Sequence, residues 1–150
     1  MYENNWESLN KRPVPEWFAD AKFGIYIHWG LYSVPAYAPK GKYAEWYGYH
    51  CDSIVERSPN DREYFDYHQK KYGPNFKYND FVKDFTAELF DAEKWADLFQ
   101  KSGAKYINFV SKHHDGYCLY KSDYAWNWNS VDVGPHRDFL MELKEALAKT

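Results

Sequence analysis

Three histidines, two carboxylates and a tryptophan stand out by type and position. His28 closes the stretch "KFGIYIHWG", His113 and His114 follow "KYINFVSK" and are themselves followed by Asp115, and Glu45 and Trp46 sit together in "YAEWYGYH". Imidazole can donate or accept a hydrogen bond through either ring nitrogen, so it suits ligand hydroxyls as well as metals and proton transfer. A carboxylate accepts hydroxyl hydrogen bonds, and an indole face packs against the apolar side of a ring. Glu45 beside Trp46 therefore reads either as a ligand-holding pair or as a surface glutamate next to a loop-anchoring tryptophan.

The elements that must position these groups can be read from periodicity. In "KFGIYIHWG", Phe23, Ile25 and Ile27 share one face and Gly24, Tyr26 and His28 the other, the alternation of a strand ended by Gly30. A second strand spans 105–112, with Ile107, Phe109 and Val110 as core residues. Both faces of the first strand are largely free of charge, as a parallel strand covered on both sides should be. Between them "PNDREYFDYHQKKYG" predicts a helix capped by Asn60 or Asp61 and stopped at Gly73. "KYNDFVKDF" predicts a short helix capped at Asn79. "FDAEKWADLFQKSGAKY" predicts the clearest helix, with Asp91 as cap, an apolar stripe of Trp95, Leu98 and Phe99, and Gly103 as stop. A last helix, about 137–149, should bury Phe139, Leu140, Leu143 and Leu147. Pro13 and Pro15 favour an extended lead-in to the first strand.

Residues 31–59 and 113–136 form two long, aromatic-rich loops, the first with a helical turn in "YAEWYGYH". Loops of this length inside a domain are functional or disordered, and their load of Tyr and Trp argues against disorder. The order strand, long loop, helices, strand, long loop, helix is that of βα units on a parallel sheet. Ligands gather outside the carboxyl ends of such strands, where all three histidines lie. A single histidine there reads as a structural cap. Three at two corresponding strand ends read as a ligand site. With two strands in 150 residues against about 250 for a closed (β/α)8 barrel, the expected fold class is α/β, the N-terminal part of a TIM-like barrel, with residues 1–150 one incomplete barrel domain.

Other chemistries find less support. A zinc site at the first strand would need His-x-His, and here His28 is followed by Trp29 and Gly30. Adjacent His113 and His114 diverge on a regular strand, so Asp115 completes a metal site only on paper, and no metal is expected. There is no nucleophile elbow, no glycine-rich dinucleotide fingerprint and no phosphate-loop lysine, so no cofactor is expected. A net charge of -3 from 19 basic and 22 acidic residues, interspersed, argues against nucleic acid. No run approaches the roughly 18 apolar residues of a membrane span. Cys51 and Cys118 are too few for a disulfide framework and read as reduced thiols. The N-terminus lacks a basic start followed by an apolar stretch, so the expectation is a cytoplasmic chain, or a secreted one if a signal has been removed. The 21% aromatic content suits core packing first, and a half-apolar ligand such as a sugar second.

"WFADAKFGIYIHWGLYSVPAYA", "EWYGYH", "YNDFVKDFTAELFDAEKWADLFQKSGAKY", "KHHDGYCLY" and "VGPHRDFLMEL", in this order over residues 17–145, resemble the retaining α-L-fucosidases of glycoside hydrolase family 29. The resemblance implies a (β/α)8-like catalytic barrel that removes terminal α-L-fucose. It implies that His28 contacts fucose hydroxyls, that Glu45 and Trp46 hold the ring, and that His113 and His114 bind further hydroxyls. In some members the glutamate matching Glu45 assists acid/base chemistry. The family's nucleophilic aspartate and acid/base glutamate are expected downstream of Thr150. Retaining hydrolysis needs two carboxyls about 5–5.5 Å apart, and the resemblance makes neither Glu45 nor Asp115 the nucleophile. Two alternatives stand beside this reading, a non-catalytic sugar-binding chain and, with less support, a metal-dependent barrel hydrolase. Linkage preference and oligomeric state are not legible.

Overall fold

Gly24–Ile27 (β1) and Tyr106–Phe109 (β2) pair in parallel, with Gly24 opposite Tyr106 and Ile27 opposite Phe109. The ladder runs on at both ends, where the Lys105 amide donates to the Phe23 carbonyl at 2.9 Å and the Val110 amide to the Ile27 carbonyl at 3.1 Å. This computed structural model describes residues 1–51 and 59–150, with only the backbone of 59–61. Both strands are shorter than the sequence predicts, since residues beyond them turn to meet the loops. The expected parallel pairing is present in a two-stranded sheet.

The helices follow α1 (Trp6–Asn10), α2 (Glu16–Ala21), α3 (Tyr47–Cys51), α4 (Pro59–Tyr72), α5 (Ala92–Ser102) and α6 (Phe139–Leu147). The chain is α/β, and among the described residues no helix is long and apolar enough to cross a membrane. The Asp91 side chain caps α5 by accepting from the Lys94 amide at 3.0 Å, and Gly103 ends it at a φ of 84° that a side chain would strain. Its inward arc carries Trp95, Ala96 and Phe99, whereas Leu98 is 62% exposed. The predicted stripe is thus corrected: Leu98 lies about 200° round the helix from the buried Ala96. Helix α6 lies against α5, capped by Asp138, whose carboxylate accepts from the Met141 amide at 2.9 Å. It buries Phe139, Leu143 and Ala146, while Leu140 and Leu147 are half-buried.

Three further elements depart from expectation. The short helix at Tyr78–Lys83 is 3-10, and its end is held by the Asp80 carboxylate, which accepts from the Lys77 amide at 2.8 Å, instead of by Asn79. Helix α4 begins at Pro59, a residue that lacks the amide hydrogen a first turn cannot use. Asn60 and Asp61 therefore fall inside its first turn, and their side chains lie outside the described residues. The lead-in stays extended only to Pro15, after which α2 forms without a buried residue. Trp17 and Phe18 of α2 rest against Tyr106 at ring-centroid distances of 6.3 and 5.3 Å.

The sheet has two unlike faces. Ile25, Ile27, Ile107 and Phe109 pack into the core under α5 and α6, and Trp29 continues that face, stacked on Phe90 at 5.3 Å and edge-on to Phe139 at 4.9 Å. The opposite face carries Tyr26 and Asn108, both exposed. The Tyr106 ring lies over Gly24, where an added Cβ would come within 2.3 Å of it. Gly24→Ala is therefore expected to displace Tyr106 from Trp17 and Phe18 and to cost about 1–3 kcal/mol, read as a lower denaturant midpoint with an unchanged slope. Cys51 and Cys118 are both buried.

Candidate functional site

Alternation along β1 sends Trp29 into the core and His28 to the open face, at the strand's carboxyl end. The chain leaving β2 brings Val110, Lys112 and His113 to the neighbouring position. Together with Tyr26 and His114 these residues line an open cleft of about 480 Å³. The His28 and His113 rings lie 5.5 Å apart and the His113 and His114 rings 4.8 Å apart, perpendicular. The two adjacent histidines diverge, as expected, yet both reach the cleft.

The first long loop brings its pair alongside. Glu45 sits in a 3-10 turn, Ala44–Trp46, and its Oε1 lies 3.7 Å from His28 Nδ1. That separation is too long for a good direct hydrogen bond and leaves both groups able to engage a shared hydroxyl. Trp46 does not line the cleft; its indole stacks on His114 at 4.3 Å and meets His113 edge-on at 6.2 Å. One indole face is therefore taken by His114, and Trp46 orients that imidazole from behind.

Asp115 faces away from the cleft. Its carboxylate accepts from the Tyr78 hydroxyl at 2.7 Å and from the Tyr117 amide at 3.1 Å, and its carbonyl accepts from the Trp128 indole at 2.9 Å. Burial pushes its carboxyl above the usual carboxylate range, against the lowering effect of these hydrogen bonds. The residue pins the histidine turn to the 3-10 helix Tyr78–Lys83 through Tyr78 and to the second long loop through Trp128. Among the described residues no group of three His, Cys, Asp or Glu side chains is placed to hold a metal ion.

His113 has its pKa lowered, first by burial and then by His114, with Asp115 pulling the other way. Its NMR titration midpoint is expected below the ordinary 6.5. His68 shows what a purely structural histidine looks like here. It is fully buried, donates from Nε2 to the Phe76 carbonyl at 2.8 Å and accepts at Nδ1 from the Tyr47 hydroxyl at 2.8 Å. Sequence reasoning passed over three neighbours of the cleft. Tyr26 was available from the alternation that places His28, and Tyr32 from the turn directly after that strand, whereas Tyr78 reaches the site from a distant segment with no local signal.

The family model described as alpha-L-fucosidase matches residues 1–150. An alpha-L-fucosidase of Dictyostelium discoideum is 48% identical over 147 residues, covering 98% of this chain and 31% of that protein. Human plasma alpha-L-fucosidase is 47% identical, covering 97% of this chain and 29% of that protein. The crystal structure of Thermotoga maritima alpha-fucosidase in complex with fucose superposes with a TM-score of 0.86 at 46% identity, covering 99% of this chain and 35% of that one. The chain thus spans about a third of the length of the relatives it matches. On the match over its whole length and on these identities, this chain belongs to the alpha-L-fucosidase family.

Proposed function

We propose that residues 1–150 form the first part of a (β/α)8-like barrel domain and supply one wall of the fucose subsite of a retaining α-L-fucosidase. The observation that carries the reading is the meeting of His28, His113 and His114 in one cleft at the carboxyl ends of two adjacent parallel strands. A pyranose presents a ring of hydroxyls, and three imidazoles with Glu45 offer convergent donors and acceptors for them. The open second face of the sheet, with Tyr26 and Asn108 exposed, suits the interior of a barrel whose further strands would cover it. The fucose-bound Thermotoga relative supports the substrate class.

The reacting carboxyl pair is assigned outside residues 1–150. Asp115 is committed to Tyr78 and Tyr117, and Glu45 has no second carboxylate beside it among the described residues of the cleft. In the working enzyme a nucleophilic carboxylate would attack the anomeric carbon while a carboxylic acid protonates the leaving oxygen, and water would later release the sugar. The test is hydrolysis of an aryl α-L-fucoside. The protein as its source produces it is expected to turn over this substrate, and His28→Ala to lower kcat/KM by about tenfold, the loss of one neutral hydrogen bond. The 150-residue chain alone is expected to show no turnover above its His28→Ala variant; activity above that control would put the reacting carboxyls within these residues.

A second reading, a fucose-binding chain without catalysis, is favoured by the same cleft, whose described lining holds no carboxylate and beside which Glu45 faces His28. Calorimetry separates the two. If the 150-residue chain binds fucose, Trp46→Ala is expected to weaken the binding about tenfold by releasing His114 from its stack. No measurable heat with the 150-residue chain would sink this second reading.

A further inference from the structure

Two polar atoms beside the cleft are enclosed and have no protein partner: the Tyr32 hydroxyl and His113 Nδ1. Tyr32 is 4% exposed, held in the 3-10 turn Leu31–Ser33 directly after β1. Its ring meets that of His113 edge-on at 5.3 Å. Both groups feel the charges of the same two carboxylates, Asp115 and Glu45, so they look into one polar interior. A buried hydroxyl or imidazole nitrogen without a partner is costly, and native proteins commonly satisfy such groups with an internal water that makes two to four hydrogen bonds. His68, by contrast, has protein partners on both ring nitrogens.

We propose that Tyr32 is a positioning residue for His113: its hydroxyl, through one trapped water, holds the enclosed Nδ1 and thereby fixes a single ring tautomer. Nε2 is then left to face the cleft with one defined role. A neutral imidazole that exchanges tautomers offers a ligand hydroxyl a donor only part of the time, and a locked ring removes that ambiguity before binding. The argument rests on the fucose-subsite reading for the ligand, but the lock itself can be read without any ligand.

The experiment is nitrogen-15 NMR of the imidazole rings in the protein as its source produces it, without sugar. His113 is expected to show the shift pair of one tautomer, with a water-to-ring cross-peak from a long-lived water. Tyr32→Phe is expected to give the averaged shifts of a tautomer mixture and to lose the water signal. It should also raise KM for an aryl α-L-fucoside several-fold, with a smaller change in kcat. Mixed tautomers in the unaltered protein, or a single tautomer unchanged in Tyr32→Phe, would overturn the proposal. The unaltered protein decides the first point even if the variant fails to fold. A locked tautomer with no fucosidase activity would leave the lock standing and remove the substrate reading.

Discussion

His113→Ala is expected to lower kcat/KM for an aryl α-L-fucoside about a hundredfold, the largest loss of any single change among the cleft residues. Three effects act together. The variant deletes a neutral imidazole whose Nε2 is proposed to meet the ligand, a hydrogen bond worth about 1 kcal/mol or more in an enclosed site. It strips the Tyr32 hydroxyl of the neighbour it is proposed to hold through the trapped water. It also removes the ring against which His28, His114 and Trp46 are all set. A combined loss of about 2.7 kcal/mol corresponds to a hundredfold. The control is His68→Ala, which should cost stability through Tyr47 and Phe76 while leaving kcat/KM per folded molecule nearly unchanged. Equal effects of the two variants on kcat/KM would remove His113 from the ligand site.

Asp115→Ala is expected to bring the largest loss of stability at the site, about 2–4 kcal/mol, because the Tyr78 hydroxyl and the Tyr117 amide both lose their carboxylate acceptor. Chemical denaturation measures it directly. The pH dependence carries a sign that the geometry dictates. Burial raises the folded-state pKa of Asp115 above its ordinary value of 3.8, so in the window between the two the native state binds more protons than the unfolded chain. Stability from this group is then fully present below pH 3.8 and declines as pH rises through the folded pKa. Asp115→Asn keeps an acceptor for the Tyr117 amide and cannot ionise. Its stability relative to the unaltered protein should therefore improve on going from pH 4 to pH 7; a difference independent of pH would mean that the carboxyl is not desolvated.

The parts of this site that were legible in the sequence are those fixed by local periodicity. Alternation around Ile25 and Ile27 assigns His28 to the ligand face, and the apolar run before His113 marks the neighbouring strand. Asp91 and Gly103 define α5 because a cap and a left-handed stop are local events. The rest depended on distant partners. Nothing near Asp115 announces that Tyr78 will donate to it, or near Trp46 that His114 will stack on it. Helices α1 and α2 bury no residue and so carry no helical period to detect. Leu98 fits an apolar stripe by spacing, but the arc that α5 buries is set by where β2 and α6 lie.

Pairing Gly24 with Tyr106 and Ile27 with Phe109 has a kinetic consequence. The two strands that deliver the histidines are far apart in the chain, and a parallel pair of this kind has high contact order. Its closure must wait for the whole intervening stretch to be synthesised, which at about 5–20 residues per second takes several seconds. Until then the apolar face of β1 has no neighbouring strand, and the nascent chain is exposed to aggregation in that interval. Within residues 1–150 the cleft is therefore expected to form after the early helices, and folding yield should respond to synthesis rate and chaperone supply more than to changes in those helices.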